Sequence, residues 1–460
     1  MDTRERKNRL NTSTPSSSSG LTLRANFSWT FIGNVINAAA WFLMTIVLAR
    51  LGSPEDVGQF ALGLATTAPI FMFATLRLRD VQATDTRQEY LFGDYFAMRL
   101  ITTALAVLAV VGIVAVSGFE WEVSLVILAT ALSKAVEAIS DAFYGLFMQQ
   151  ERLDRIAKSM MIKGPLSLLG LGLGFYLTGS VFWGVIGLAA ARALIMLVYD
   201  IRNATLTLSQ SSTPTSISIR SLFPKDFPRP HWNAAILARL AWLTLPLGLV
   251  TMLISFNANI PRYFIEGHLG VHQLGIFAAI TALQKSAPTV VQALGRSASP
   301  RLAKYYAAYN IRAFRKLTLQ LVGIGVLLGG AGILVALVAG RPILTLLYGA
   351  EYALPGLFAL VMVDAALDYI STMLLFVITS ARYLKVQLPL YLLTTSTITV
   401  ACFLLVPSIG LQGAALAAII AELVRLAGSL AAVWHAQRSL SKDSITSELR
   451  TSTHAAQKVL

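Results

Sequence analysis

Nine ionisable side chains fall inside long apolar stretches of this sequence: Lys134, Glu137, Asp141, Arg192, Lys285, Asp364, Asp368, Glu422 and Arg425. A charge at the centre of an apolar helix in a bilayer costs about 2.5–3.5 kcal/mol, so it is kept where it meets a partner or lines water. Arg192 and Lys285 have no carboxylate nearby on their own stretches. Buried cations of that kind suit an anionic headgroup such as a pyrophosphate. Asp364 and Asp368 stand one helical turn apart with no basic residue beside them. Two carboxylates that close resist joint ionisation, which suits a proton or a small cation. Lys134 with Glu137, and Glu422 with Arg425, are spaced to neutralise each other along a helix and can equally serve as packing struts.

At 100° per residue, Thr130, Lys134, Glu137, Asp141 and Tyr144 fall within an arc of about 80°, a polar stripe expected to line water. Glu422, Arg425 and Ser429 form a shorter stripe, and Asp364, Asp368 and Ser371 another. Asn34, Asn37, Asn257 and Asn259 supply further polar contacts or bonds between helices. Other chemistries find little support. There is no G-x-x-x-x-G-K-[ST] phosphate loop. His268 and His272 stand four apart near Glu266, but Gly270 between them argues against a helix there, so no metal site is expected. No Ser/His/Asp or Cys/His arrangement is legible among five histidines and one cysteine, Cys402. No catalytic residue and no cofactor are therefore assigned.

The elements that carry these charges are membrane spans. Of 460 residues, 55% are hydrophobic and only 13% charged, with mean hydropathy +0.66. Soluble domains carry about a quarter charged residues, so a soluble enzyme, a disordered chain and a disulfide scaffold are excluded. Windows of about 19 residues predict twelve helices, near 27–49, 57–76, 97–117, 123–147, 159–178, 181–201, 238–258, 271–294, 317–339, 356–380, 386–406 and 411–434. With the N-terminus in the cytoplasm, 30 of the 37 Lys and Arg lie in the tails and even-numbered loops. Arg99, Lys163 and Arg239, at span edges, are counted there. Only Arg50, Arg262 and Arg341 lie on the opposite side, and four fall inside spans. That asymmetry places both termini in the cytoplasm and accounts for most of the +14 net charge without nucleic acid.

Residues 203–237, rich in Ser, Thr and Pro, read as a cytoplasmic linker that divides the spans six and six. The pattern Leu51-Gly52…Gly58-Gln59-Phe60-Ala61 recurs as Leu269-Gly270…Gly275-Ile276-Phe277-Ala278, at an offset of 217–218 residues. The expected architecture is an all-α polytopic membrane protein with about twelve transmembrane helices in two parallel six-helix bundles, 27–202 and 238–434. Residues 1–26 read as a disordered cytoplasmic tail and 435–460 as a second cytoplasmic tail. Substrate sites in such repeats sit between the halves near the midplane.

The run from Ala49 to Phe60 resembles the first hairpin of bacterial oligosaccharide flippases, the polysaccharide-transporter branch of the multidrug/oligosaccharidyl-lipid/polysaccharide exporter superfamily. Leu76 to Asp85 with Asp94-Tyr95, Lys134 to Gln149 with Glu151-Arg152, and Ile260 to Ile265 before Leu269-Gly270 are similar to that branch. So are Ser299 to Leu302, Tyr348 to Tyr352 and Gly410 to Ala415. The resemblance implies alternating access between two bundles in the bacterial inner membrane. It also implies a substrate, an undecaprenyl-pyrophosphate-linked oligosaccharide used for O-antigen, capsule or exopolysaccharide. Lys134, Arg192, Lys285 and Arg425 would hold the headgroup. Asp364 and Asp368, and less directly Glu137, Asp141 and Glu422, would couple to protons or Na⁺. A polysaccharide polymerase and a ligase are the implied partners. The alternatives are a cation-coupled multidrug exporter of the same superfamily and, more distantly, a membrane glycosyltransferase or polymerase.

Overall fold

A computed structural model describes residues 23–85, 89–211, 229–284, 288–383 and 386–457. Among them every regular element is helical. The first six are α1 (Leu23–Leu51), α2 (Pro54–Thr75), the short α3 (Leu78–Thr84), α4 (Phe92–Ser117), α5 (Trp121–Gln149) and α6 (Leu153–Thr178). Next, α7 (Val181–Ile195) passes through a π-helical turn, Met196–Asp200, into α8 (Ile201–Ser211). Then come α9 (Ala234–Gln284), α10 (Pro288–Ala307), α11 (Ile311–Leu347), α12 (Pro355–Ser380) and α13 (Gln387–Gln457).

Ten helices among the described residues are long and apolar enough to cross a membrane, and the fold is that of a multi-pass membrane protein. Two of the ten are far longer than one crossing. The 51 residues of α9 would extend about 75 Å if straight, against a hydrocarbon core of about 30 Å. It breaks at Gly270 (φ 84°, ψ 173°), and α13 breaks at Gly410 (φ 61°, ψ −137°). Glycine accepts such a backbone without a Cβ clash. Those breaks fall where two of the sequence-derived spans end and the next two begin.

The expected linker 203–237 is shorter than its composition suggests. Residues up to Ser211 continue a helix and Ala234 begins the next, while 212–228 lie outside the described residues. Four hydrogen bonds occupy the polar groups of 203–207 within the helix. Thr205 and Thr207 return their hydroxyls to the carbonyls of Arg202 and Asn203, and Arg155 donates to Asn203 O at 2.9 Å and to Thr207. Helices α4 and α6 also begin several residues before the predicted spans, at Phe92 and Leu153. Arg99 and Lys163, counted with the loops, are consequently buried inside helices.

In packing, α1 lies on α6, α6 on α7, α7 on α5, and α5 on α2 and α4. Helices α10, α11 and α13 pack on α12. Helix α9 joins the two groups: it runs along α2, with Thr251 donating to Met72 O at 3.1 Å and Tyr263 to Ala65 O at 2.6 Å. The largest apolar core combines residues from both groups, among them Leu48, Val57, Phe60, Leu274, Phe277, Leu344, Tyr348 and Val406. Most of its members flank the short turns at one end of the molecule. Three smaller cores flank the basic loops. One lies within α10–α13, one within α4, α5 and α8, and one joins α2–α4 to the start of α9. The two groups are thus sealed together at the turn end and share little core at the other.

The repeated glycine motif forms part of that seal. A Cβ on Gly58 would lie 2.0 Å from Val271 O, and one on Gly275 would lie 1.7 Å from Pro54 O. Gly58 and Gly275 stand 217 residues apart, as do Pro54 and Val271. The contact is reciprocal, the signature of a two-fold-related crossing. Ser53 and Asp56 cap the start of α2 by mutual bonds, which holds Pro54 in place. Across the same end, Arg50 donates to the terminal carbonyls of α11 at Thr345, Leu346 and Leu347. His272 lies 3.7 Å from both Glu55 and Glu351. Burial pushes the phenols of Tyr348 and Tyr352 well above their usual range, so both stay neutral within the seal.

Candidate functional site

Seven of the nine membrane-depth charges gather into two clusters. In the first, Lys134 and Glu137 come from α5 and Arg192 from α7. Lys134 Nζ and Arg192 Nη1 both donate to Glu137 Oε2, at 2.9 and 3.0 Å. Arg192 also donates to Ser133 Oγ at 3.0 Å. The Trp41 ring of α1 lies against both cations, 5.4 Å from Lys134 Nζ and 4.9 Å from the Arg192 guanidinium carbon. Glu137 is 44% exposed, whereas Lys134 is 21% and Arg192 only 5%. The carboxylate therefore covers the cations on their open side. Two cations against one carboxylate leave this cluster with a positive excess. Arg192, unpartnered in its own stretch of sequence, has found its counter-ion 55 residues away.

The second cluster joins α9, α12 and α13. Arg425 pairs with Asp368 and, at 2.8 Å, with Glu422. Gln284 Nε2 donates to Asp364 Oδ2 at 2.8 Å, and Tyr369 donates its hydroxyl to the Gln284 carbonyl at 3.1 Å. Asp364 Oδ1 is buried without a hydrogen-bond partner. Three carboxylates against one guanidinium give a negative excess when all are ionised. Arg425, expected among headgroup-binding cations, is thus enclosed by acids. Lys285 lies outside the described residues.

The long stripe on α5 does not line water as one surface, because its members are claimed by separate neighbours. Thr130 is buried and bonds its own helix at Val126 O. Asp141 is gripped by Arg79 at 3.0 Å and by the buried Arg99 at 2.9 Å, which ties α5 to α3 and α4. Tyr144 accepts from Lys163 Nζ at 2.9 Å and shares a hydroxyl bond with Ser159.

Two buried charge sites carried no signal as sites in the sequence. Lys163 Nζ pairs at 3.1 Å with Asp200, which is fully buried at the end of the π-helical turn and also accepts from Ser159 Oγ at 2.6 Å. Arg262, counted with the loops because it lies beyond the predicted span 238–258, is buried within α9. It donates to Asn259 Oδ1 at 3.1 Å. Prolines are tolerated in membrane helices, and α9 continues through Pro261. His268 Nδ1 faces Phe264 O at 3.0 Å, apart from the His272 site.

Residues 23–306 match the model of a family described as polysaccharide biosynthesis protein. The chain belongs to that family. It is 29% identical over 403 residues to the capsular polysaccharide biosynthesis protein CapF of Staphylococcus aureus, covering 87% of this chain and 96% of the relative. Its fold is similar to the inward-facing conformation of a multidrug resistance MATE family transporter of the MOP superfamily. The TM-score is 0.64 at 14% identity, with 91% of this chain and 96% of the other covered. It is also similar to a MOP superfamily transporter from Pyrococcus furiosus reported with a binding pocket of reversed polarity. There the TM-score is 0.53 at 15% identity, with 90% of this chain and 94% of the other covered. Family and fold together make this a polysaccharide-related membrane transporter.

Proposed function

We propose that the protein is a flippase that carries undecaprenyl-pyrophosphate-linked oligosaccharide units across a bacterial inner membrane for surface polysaccharide synthesis. The observation that carries this reading is the opposite charge balance of the two clusters. The excess of Lys134 and Arg192 over Glu137 suits a pyrophosphate headgroup, with Lys285 a further contributor. The acid excess of Asp364, Asp368 and Glu422 over Arg425 suits a proton or Na⁺ that drives the cycle. Asp141, held between two arginines, is assigned to anchoring instead. In this reading 27–202 and 238–434 form two six-helix bundles with twelve crossings. The breaks at Gly270 and Gly410 divide the two longest helices, and the linker and both tails are cytoplasmic. The sealed turn end then makes the structure inward-facing. The higher TM-score to an inward-facing transporter than to an outward-facing one, 0.64 against 0.51, agrees with that assignment.

Headgroup and ion would bind to different halves, and rocking of the halves would carry the headgroup across while the prenyl tail stays in lipid. The test follows radiolabelled lipid-linked repeat units in a deletion strain. Units should accumulate on the cytoplasmic face without the gene and reach the surface with it. Arg192→Ala or Lys285→Ala should abolish that rescue at unchanged membrane levels, and normal polymer output from both variants would refute the site. The acidic cluster also favours a second reading, a cation-coupled multidrug exporter. Repeat units that cross normally while the deletion strain becomes drug-sensitive would select it.

A further inference from the structure

Every other strongly buried cation among the described residues has an acidic partner or several hydrogen-bond acceptors. Arg99 meets Asp141, Lys163 meets Asp200, Arg192 meets Glu137 and Arg425 meets Asp368 and Glu422. Arg155 is bonded to Asn203 O and Thr207 and stacks over Phe147. Arg262 differs. It is 8% exposed and forms no ion pair among the described residues. Its hydrogen-bond partner is the neutral Asn259 amide, itself buried and donating onward to Ser255 O at 2.7 Å. Glu266 stands one turn away but does not pair with it, and the neighbouring Tyr263 directs its hydroxyl to Ala65 O instead.

A lone guanidinium removed from water is unfavourable, and such a charge persists where function requires it. Its position is informative. Arg262 lies eight residues before the break at Gly270, about 12 Å inside the turn end of α9. Ile260 and Ile265 on either side belong to the core shared by the two helix groups. When that seal parts, the surroundings of Arg262 are the ones that change, and a phosphate meeting it there would supply the missing counter-charge.

We infer that Arg262 is a second anion-binding station, about 4–8 Å nearer the turn end than Arg192 and Lys134 by helical rise, that receives a phosphate-bearing lipid headgroup as the turn end opens. This rests on the flippase reading but can fail separately from it. The test compares Arg262→Met, close in volume and uncharged, and Arg262→Lys with the parent in purified, reconstituted form. Three readouts are needed: melting temperature, binding of undecaprenyl pyrophosphate, and delivery of labelled repeat units to the surface in cells. Removal of an unpaired buried charge should hold or raise the melting temperature. The same change should cut delivery by tenfold or more, with Arg262→Lys recovering part of it. Headgroup binding from the Lys134 side should stay within about twofold of the parent. Inorganic pyrophosphate in place of the lipid separates a free anion from a lipid headgroup. The lipid should raise the parent's melting temperature and the free anion should not. A fall in melting temperature for Arg262→Met would make the residue a packing element and overturn the inference, as would undiminished delivery. If Arg192→Ala also left delivery intact, the flippase site itself would fall, whatever Arg262 does.

Discussion

The reciprocal contact of Gly58 and Gly275 offers a direct test of the seal. In Gly275→Ala, the new methyl would lie 1.7 Å from Pro54 O, and in Gly58→Ala it would lie 2.0 Å from Val271 O. Both obstacles are backbone atoms, which cannot swing aside, so the crossing must widen by about 1.5–2 Å to restore ordinary van der Waals distance. Overpacking of this kind costs about 1–3 kcal/mol. Here that cost falls on the closed turn end and is relieved when it opens. Each substitution should therefore move the equilibrium toward the open turn end by about five- to 150-fold. The two should not add, since both widen one crossing. Alanine also raises helix propensity by up to about 1 kcal/mol. Gly330→Ala controls for this, because a Cβ there meets nothing within 4 Å. The assay is maleimide labelling from the turn side of intact cells. The single cysteine, Cys402, is buried, and Cys402→Ser gives a clean background. A cysteine replacing Ala278, which is 7% exposed in the seal, reports opening. Labelling should rise sharply with either glycine substitution and stay at the parent level with Gly330→Ala. Parental labelling in both Gly58→Ala and Gly275→Ala would refute the argument that this crossing holds the turn end shut.

Two further outcomes follow from the packing. Lys163→Met or Asp200→Asn leaves one partner of a buried ion pair uncompensated and should destabilise the protein by about 3–5 kcal/mol. Thermal melting should show this, and the double replacement Lys163→Met with Asp200→Leu should regain most of the loss. Arg50→Ala strips the end of α11 of a cap supplied from α1, an interaction that its exposure limits to about 1 kcal/mol. The Ala278 cysteine should then label a few times faster, while Arg50→Lys, which cannot reach three carbonyls with one planar fork, should fall between.

The spans were legible because a crossing needs an unbroken apolar run, and that demand is written locally. The charged residues were legible for the same reason, since each stands out against the run that carries it. Their partners were not. Arg192 meets Glu137 across 55 residues and Arg425 meets Asp368 across 57, and helical periodicity says nothing about which face of another helix arrives opposite. Reading α5 as one wet stripe failed at this step: the period placed Thr130, Lys134, Glu137, Asp141 and Tyr144 on one side, but α3, α4, α6 and α7 divide that side among them. Boundaries produced the other omissions. Arg262 fell beyond the end of the 238–258 window, and Lys163 and Arg99 lay at span edges, because a window marks where apolar character fades rather than where hydrogen bonding stops.

The repeat shows how a weak local signal gains meaning from packing. Five matched positions at an offset of 217–218 residues could arise by coincidence, yet Gly58 and Gly275 of that pattern touch each other's hairpins at backbone distance. A glycine required by its symmetry mate constrains both copies, since a side chain on either one pries apart the same crossing. The charge clusters carry no such mutual demand. One lies on α5 and α7, the fourth and sixth spans in the sequence-derived order, and the other lies mainly on α12 and α13, at the tenth and twelfth. Freed from contact with each other, the two could diverge to opposite charge balance while the glycines between them could not change.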